Sequence, residues 1–127
     1  MVEEIYGTYI KNLDEKGRIY MPSQFEVKKD DVLFMVTREN YLRIVRSFEN
    51  LDEEDYATIR KATIDTYSRI TIFNEIRNLL FKKQAIILGK KTHLDIVPVE
   101  KIDDYCENTN INIVAEKNKV FTYKKEA

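Results

Sequence analysis

An internal repeat constrains this chain more than any other feature. The stretch Asp14-Glu15-Lys16-Gly17-Arg18-Ile19-Tyr20-Met21-Pro22 is matched 51 positions later by Asp65-Thr66-Tyr67-Ser68-Arg69-Ile70-Thr71-Ile72-Phe73, with the Asp-x-x-x-Arg spacing and the isoleucine after it shared. After one inserted position the match resumes at an offset of 52: Leu33-Phe34-Met35-Val36 corresponds to Ala85-Ile86-Ile87-Leu88, and Tyr41-Leu42-Arg43-Ile44-Val45 to His93-Leu94-Asp95-Ile96-Val97. Five matched residues arise readily by chance, but a collinear match over about 30 positions with one insertion does not. Each copy reads as a turn between extended stretches, a short helical piece and two strands. Neither copy is large enough to bury its own apolar face, so the two are expected to share one core.

The local signals agree with that plan. Tyr6 to Leu13 reads as a strand, and Lys16-Gly17 is a turn signal because glycine tolerates positive φ. Ile19 and Met21 alternate with Arg18 and Tyr20 at the period of a half-buried strand, which Pro22 ends while opening a short helix. In the second copy Asn74 is the expected N-cap of a helix carrying Ile76, Leu79 and Leu80 on one face. Between the copies Leu51 to Ala62 is rich in helix formers, and its Asp52-Glu53-Glu54-Asp55 run suits a helix N-terminus. Pro98 opens a further helix with Val99, Ile102, Tyr105 and Cys106 as its buried stripe. Beyond it, Ile111 to Val114 and Val120 to Tyr123 read as a β hairpin.

These elements predict a mixed α/β (α+β) protein organised as a first repeat over 7–50, a helical connector over 51–60, a second repeat over 61–105 and a C-terminal extension over 106–127. Ile19, Met21, Phe34, Val36, Leu42 and Ile44 are expected to interleave with Ile70, Ile72, Ile86, Leu88, Leu94 and Ile96 in a pseudo-two-fold β barrel flanked by helices.

Composition narrows the function. One cysteine, Cys106, and one histidine, His93, argue against an internal disulfide, a zinc site or a Cys/His nucleophile; Cys106 is expected in the core and His93 at the surface or in packing. No nucleotide-binding glycine loop or paired-carboxylate pattern occurs, so neither an enzyme, a cofactor nor a small-molecule substrate is expected. The acidic start Met1-Val2-Glu3-Glu4 and the absence of a long apolar run predict a soluble, cytoplasmic protein without a membrane partner. The formal net charge of -1 counts against a generally basic nucleic-acid binder, but it conceals a cancellation. Residues 8–29 hold five basic and three acidic side chains, residues 60–91 eight basic and two acidic, and residues 30–59 three basic and eight acidic. The two positive blocks contain Arg18 and Arg69.

At these residues the sequence resembles the MraZ family of bacterial transcription regulators, built from two tandem SpoVT-AbrB swapped-hairpin domains. The resemblance runs from about Gly7 to about Tyr105. It is carried by Gly7 to Pro22, Ile64-Asp65 through Arg69, Ile86 to Gly89 and His93 to Val97 with the helix after it. The specific element is the Asp-x-x-x-Arg motif at both expected places.

The resemblance implies an AbrB-like swapped-hairpin barrel whose two motifs share a DNA-contacting face. It also implies ring-like homo-oligomers that bind direct repeats upstream of the cell-division and cell-wall gene cluster, and hence a nucleoid-associated protein. Arg18 and Arg69 carry over as the arginines that contact double-stranded DNA, with Asp14 and Asp65 as their partners. The chemistry suits them: a guanidinium offers five fixed donors for a guanine edge or a phosphate, and a carboxylate four residues earlier orients it or caps the turn. Lys11 and Lys16 add phosphate contacts, and charge alone adds Arg77, Lys82 and Lys83.

Three departures from the family pattern matter. Ser68 stands where a glycine is usual, so that turn either avoids positive φ or costs about 1 kcal/mol. Phe73 replaces the usual proline, and Ser23-Gln24-Phe25-Glu26 is less basic than its counterpart. Ser68, Phe73 and the C-terminal hairpin motivate a rival reading, an interaction module that keeps the fold but has lost DNA binding.

Overall fold

A computed structural model of the chain describes residues 5–22, 25–47, 59–90, 93–109, 111–116 and 119–124. Its centre is a six-stranded antiparallel sheet in the order β1-β7-β8-β4-β3-β5, formed by Ile5–Asn12 (β1), Gln84–Lys90 (β7), His93–Pro98 (β8), Leu42–Val45 (β4), Val32–Thr37 (β3) and Ile59–Thr63 (β5). A separate two-stranded ribbon pairs Arg18–Tyr20 (β2) with Arg69–Thr71 (β6). Two short helices follow, Asn74–Leu80 (α1) and Ile102–Thr109 (α2), the latter entered through a 3₁₀ turn at Val99–Lys101. The hairpin Ile111–Glu116 (β9) and Lys119–Lys124 (β10) closes the chain. A dominant antiparallel sheet with few helices is compatible with the expected mixed α+β class, and the C-terminal hairpin lies where its alternation placed it.

Strand order and register repeat with the sequence offsets. The sheet reads the same from either edge when β1, β3 and β4 are exchanged for β5, β7 and β8. Register agrees position by position: Ile10 faces Ile86 as Lys61 faces Phe34, and Asn12 faces Gln84 as Thr63 faces Val32. The first strand of each copy therefore pairs with the hairpin of the other copy. Two backbone bonds repeat the exchange, Leu13 N–H donating to Lys83 O at 2.9 Å and Ile64 N–H to Asp31 O at 2.9 Å. The relating axis falls between Ile19 and Ile70 in the ribbon and between Arg43 and Asp95 in the sheet.

The main core lies between ribbon and sheet. Ile19 and Ile70 point into it, fully buried, with Met21 and Ile72 beside them and Leu42, Ile44, Leu94 and Ile96 opposite. Burying each isoleucine is worth about 1.5–3 kcal/mol relative to exposure. Phe25 and Ile76, again 51 positions apart, cap the core.

Several expectations need correction. In β3 and β7 the buried phase is shifted by one residue, so Leu33, Met35, Ala85 and Ile87 fill the main core in place of Phe34, Val36, Ile86 and Leu88. Ile86 and Leu88 point to the opposite face, where they pack in a second cluster with Val97, Tyr105, Cys106, Ile111 and Ile113. An apolar run buried on both faces has no alternation from which to read phase. Ile59–Thr63 is an edge strand rather than the end of a helix, because pairing with β3 overrides its helix propensity. The remainder of that predicted helix, Leu51 to Thr58, lies outside the described residues, as do Ser23-Gln24 and the Lys117-Asn118 turn. Phe73, not Asn74, occupies the N-cap position of α1 and supplies no side-chain cap; Asn74 instead accepts a hydrogen bond from Arg77 at 2.8 Å.

The axis position of the sheet carries a polar cluster. Asp95, fully buried, accepts from Arg43 Nε at 2.8 Å and Nη2 at 3.1 Å, and from the Tyr105 hydroxyl at 2.8 Å. Burial, with the Asp95 carboxylate alongside, pushes the Tyr105 phenol well above its usual range. Arg43 is raised because the Asp95 bonds outweigh its own desolvation. Tyr41 packs edge-on to Tyr105, with ring centroids 5.0 Å apart, and its face lies against the Arg43 guanidinium.

Candidate nucleic-acid interface

The two Asp-x-x-x-Arg segments fold into the same turn. In the first, one Asp14 oxygen accepts the backbone N–H groups of Lys16 and Arg18, both at 2.9 Å, while the other accepts Arg18 Nε at 2.6 Å. In the second, Asp65 accepts from the Tyr67 and Arg69 backbones at 2.8 and 2.9 Å and from Arg69 Nε at 2.8 Å. Spacing explains the requirement for these residue types. A carboxylate at the turn's first position reaches the amides two and four residues on, and its second oxygen remains for the arginine that the strand brings back overhead.

These bonds hold both carboxyls below their usual range. For Asp14 the Arg18 backbone N–H is the main cause. For Asp65 partial burial acts in the opposite direction but is outweighed by the Arg69 and Tyr67 amides and the Arg69 guanidinium.

The β2–β6 pairing then joins the turns. Met21 N–H donates to Ser68 O at 2.9 Å, and Ile72 N–H donates to Gly17 O at 2.8 Å. Ile19 and Ile70 face inward, leaving Arg18, Tyr20, Arg69 and Thr71 on the outer face, with Arg18 opposite Thr71 and Tyr20 opposite Arg69. Arg69 also reaches across to Asp14, Nη1 to Oδ2 3.9 Å. Of the predicted residues, Asp14, Lys16, Arg18, Asp65 and Arg69 are thus brought together in one bipartite face. Lys11 lies on β1, its ammonium 5.7 Å from the centroid of the Tyr9 ring.

Residues absent from the sequence reading complete the face. Tyr67 and Tyr20 bracket the Arg69 guanidinium, with ring centroids at 5.0 and 5.8 Å. Their places at the turn tip and ribbon end were readable, but only the strand pairing brings both to one arginine. Arg77, expected as a free phosphate contact, instead lies against the first turn and donates to Glu15 O at 3.4 Å. A Cβ on Gly17 would come within 2.3 Å of its side chain. Lys82 and Lys83 are exposed in the bend just before β7.

Fold and site together define an antiparallel α+β protein of two like halves, each contributing one aspartate-braced arginine to a common ribbon. No protein-family model matches the chain. It is similar to the transcriptional regulator MraZ of Acetivibrio thermocellus, 27% identical across 88% of this chain and 94% of that protein. A likeness extending over nearly the whole of both chains supports the MraZ family membership that the paired motifs imply. Among the described residues, no group of His, Cys, Asp and Glu is arranged to hold a metal ion, and no helix is long and apolar enough to cross a membrane.

Proposed function

We propose that the chain is a sequence-specific DNA-binding transcriptional regulator whose fold is the swapped-hairpin barrel of two tandem AbrB-like repeats. The observation that carries this reading is the juxtaposition of the two braced arginines on the outer face of the β2–β6 ribbon. In each arginine the aspartate takes Nε, which leaves the terminal amino groups as the donors for a base edge or a phosphate. A guanidinium already fixed by a carboxylate loses little rotamer freedom on binding. Lys16 at the first turn tip adds a cation for the backbone.

One protomer with a formal charge of -1 has little long-range attraction for DNA. The reading therefore includes assembly into a ring-like homo-oligomer that presents the ribbon repeatedly to direct repeats, so that effective concentration multiplies modest contacts. By its likeness to MraZ, the proposed target lies upstream of the cell-division and cell-wall gene cluster, which makes the protein nucleoid-associated.

A mobility-shift titration with DNA from the gene's own upstream region tests this reading. Wild type is expected to bind with a steep salt dependence, and Arg18→Ala or Arg69→Ala to weaken cognate binding by at least tenfold, on the order of the 1–3 kcal/mol that a bidentate base contact contributes. Equal binding by both variants would remove the site assignment. No shift at low salt with the oligomer intact would favour the rival reading, an interaction module.

A further inference from the structure

The two halves of the proposed DNA face share a backbone but not a chemistry. Around Arg18 the neighbouring turn and cross-strand positions hold Lys16 and Thr71; around Arg69 the corresponding positions hold Tyr67 and Tyr20. Tyr67 is 66% and Tyr20 53% exposed, and they are two of the four large exposed apolar side chains among the described residues. Their rings leave the Arg69 side chain 16% exposed, against 30% for Arg18. Large aromatic side chains standing open beside a cation are characteristic of a surface that another molecule covers.

From this asymmetry we infer that Tyr20 and Tyr67 are specificity-determining DNA contacts, making the Arg69 half the sequence reader and the Arg18–Lys16 half chiefly a phosphate anchor. The inference rests on the DNA-binding reading above. Flanked by two aromatic rings and tied to Asp65, the Arg69 guanidinium has its plane set before DNA arrives, which favours a single directed contact with a guanine edge. The exposed rings flank the place such a base would take. A flat apolar face there suits a thymine methyl, a contact that depends on the base. Lys16, a mobile point charge at the other turn, suits backbone attraction without base choice. A face with one reading half and one anchoring half has a direction. Each protomer would then prefer one orientation on DNA, as direct repeats require and inverted repeats do not.

The test compares binding of the full-length protein to its own upstream DNA and to a scrambled duplex across a salt series. Tyr67→Ala and Tyr20→Thr, the latter placing at position 20 the residue found at 71, are expected to lower cognate affinity about tenfold. Scrambled-DNA binding and the salt slope should stay unchanged. Tyr67→Phe separates ring from hydroxyl and should keep most of the cognate preference if the ring is the contact. Lys16→Ala should weaken both duplexes alike and reduce the salt slope by about 1.

Thermal unfolding of each variant checks the fold, and both tyrosines are exposed enough for truncation to leave it standing. If the tyrosine variants bind both duplexes as wild type does while Arg69→Ala loses cognate binding, this inference fails and the DNA-binding reading survives. If the tyrosine variants lose affinity equally for both duplexes, the reading role is overturned in favour of a general contact. If wild type binds neither duplex, both readings fall.

Discussion

The two turns have nearly superposable hydrogen bonding but different residues at the position that forces the chain to reverse. Gly17 has φ of +76° and Ser68 φ of +59°, so both occupy the left-handed region. The second turn therefore does not avoid positive φ; it accepts the strain. The neighbours account for the different residues. At the first turn Arg77 fills the space that a Cβ on Gly17 would occupy. The residue 51 positions before Arg77 is Glu26, whose own backbone is left-handed and whose carbonyl is engaged by Arg46, and Ser68 is exposed where Gly17 is buried. The brace depends on Asp and Arg alone. The residue at the bend answers both to φ and to what packs over it, and only the first turn imposes both demands.

The sharpest break between the halves lies on the axis itself, and it carries the largest expected effect. Arg43 and Asp95 occupy equivalent positions at the offset of 52 and face each other across β4 and β8. Identical halves would place two like charges there. Arg43→Ala leaves a fully buried carboxylate without its two guanidinium bonds, and should cost about 3–5 kcal/mol in urea unfolding. The exchange Arg43→Asp with Asp95→Arg should recover much of the loss from either single substitution but not the Tyr105 bond. An exchanged protein no more stable than Arg43→Asp alone would show that the pair does not act as a lock between the halves.

A smaller effect tests the turns directly. Gly17→Ser places a side chain in left-handed backbone, at a cost of about 1–2 kcal/mol, and also displaces Arg77 from its bonds to Glu15 and Asn74. Ser68→Gly should stabilise by roughly 0.5–1 kcal/mol, since relief of strain is partly offset by the greater freedom of glycine in the unfolded chain. Truncating Arg77 in the Gly17→Ser background should recover part of the loss, whereas truncating Arg46 in wild type should leave the effect of Ser68→Gly unchanged. Equal and opposite effects at the two turns, insensitive to Arg77, would mean that φ alone chooses the residue.

The repeat made much of this arrangement legible in advance. Asp14, Arg18, Asp65 and Arg69 were readable because a chelating turn fixes both residue type and spacing. Ile19 and Ile70 were readable because β2 and β6 are buried on one face only. The phase of β7 was not, because Ala85 to Leu88 is apolar at every position and buried on both faces. The Arg43–Asp95 pair left a visible sign, opposite charges at matched positions of two largely apolar strands, but its meaning depended on knowing that those strands meet at the axis. The place of Arg77 left no such sign. A basic residue on a short helix is ordinarily a solvated one, and only the packing of α1 against the first turn turns it into a constraint on Gly17.

The smallest expected effect concerns how alike the two braces are. Both aspartates are held below their ordinary value of 3.8, so across the acid range the unfolded chain binds more protons than the folded one. The stabilisation each brace provides is present in full above about pH 4 and is lost as pH falls through the lowered folded values. Asp14→Asn and Asp65→Asn should each lower Tm at pH 7, and each deficit should shrink towards zero as pH is taken below 4. With side chains 35% and 34% exposed and matching sets of backbone donors, the two variants should follow curves of the same shape. Asp14 has one further partner across the ribbon, Arg69 Nη1 at 3.9 Å. A larger deficit for Asp14→Asn that disappears in an Arg69→Ala background would assign that long contact real weight. Indistinguishable curves in both backgrounds would show that each brace acts within its own turn, and that the asymmetry of the face lies in the tyrosines and lysine around it.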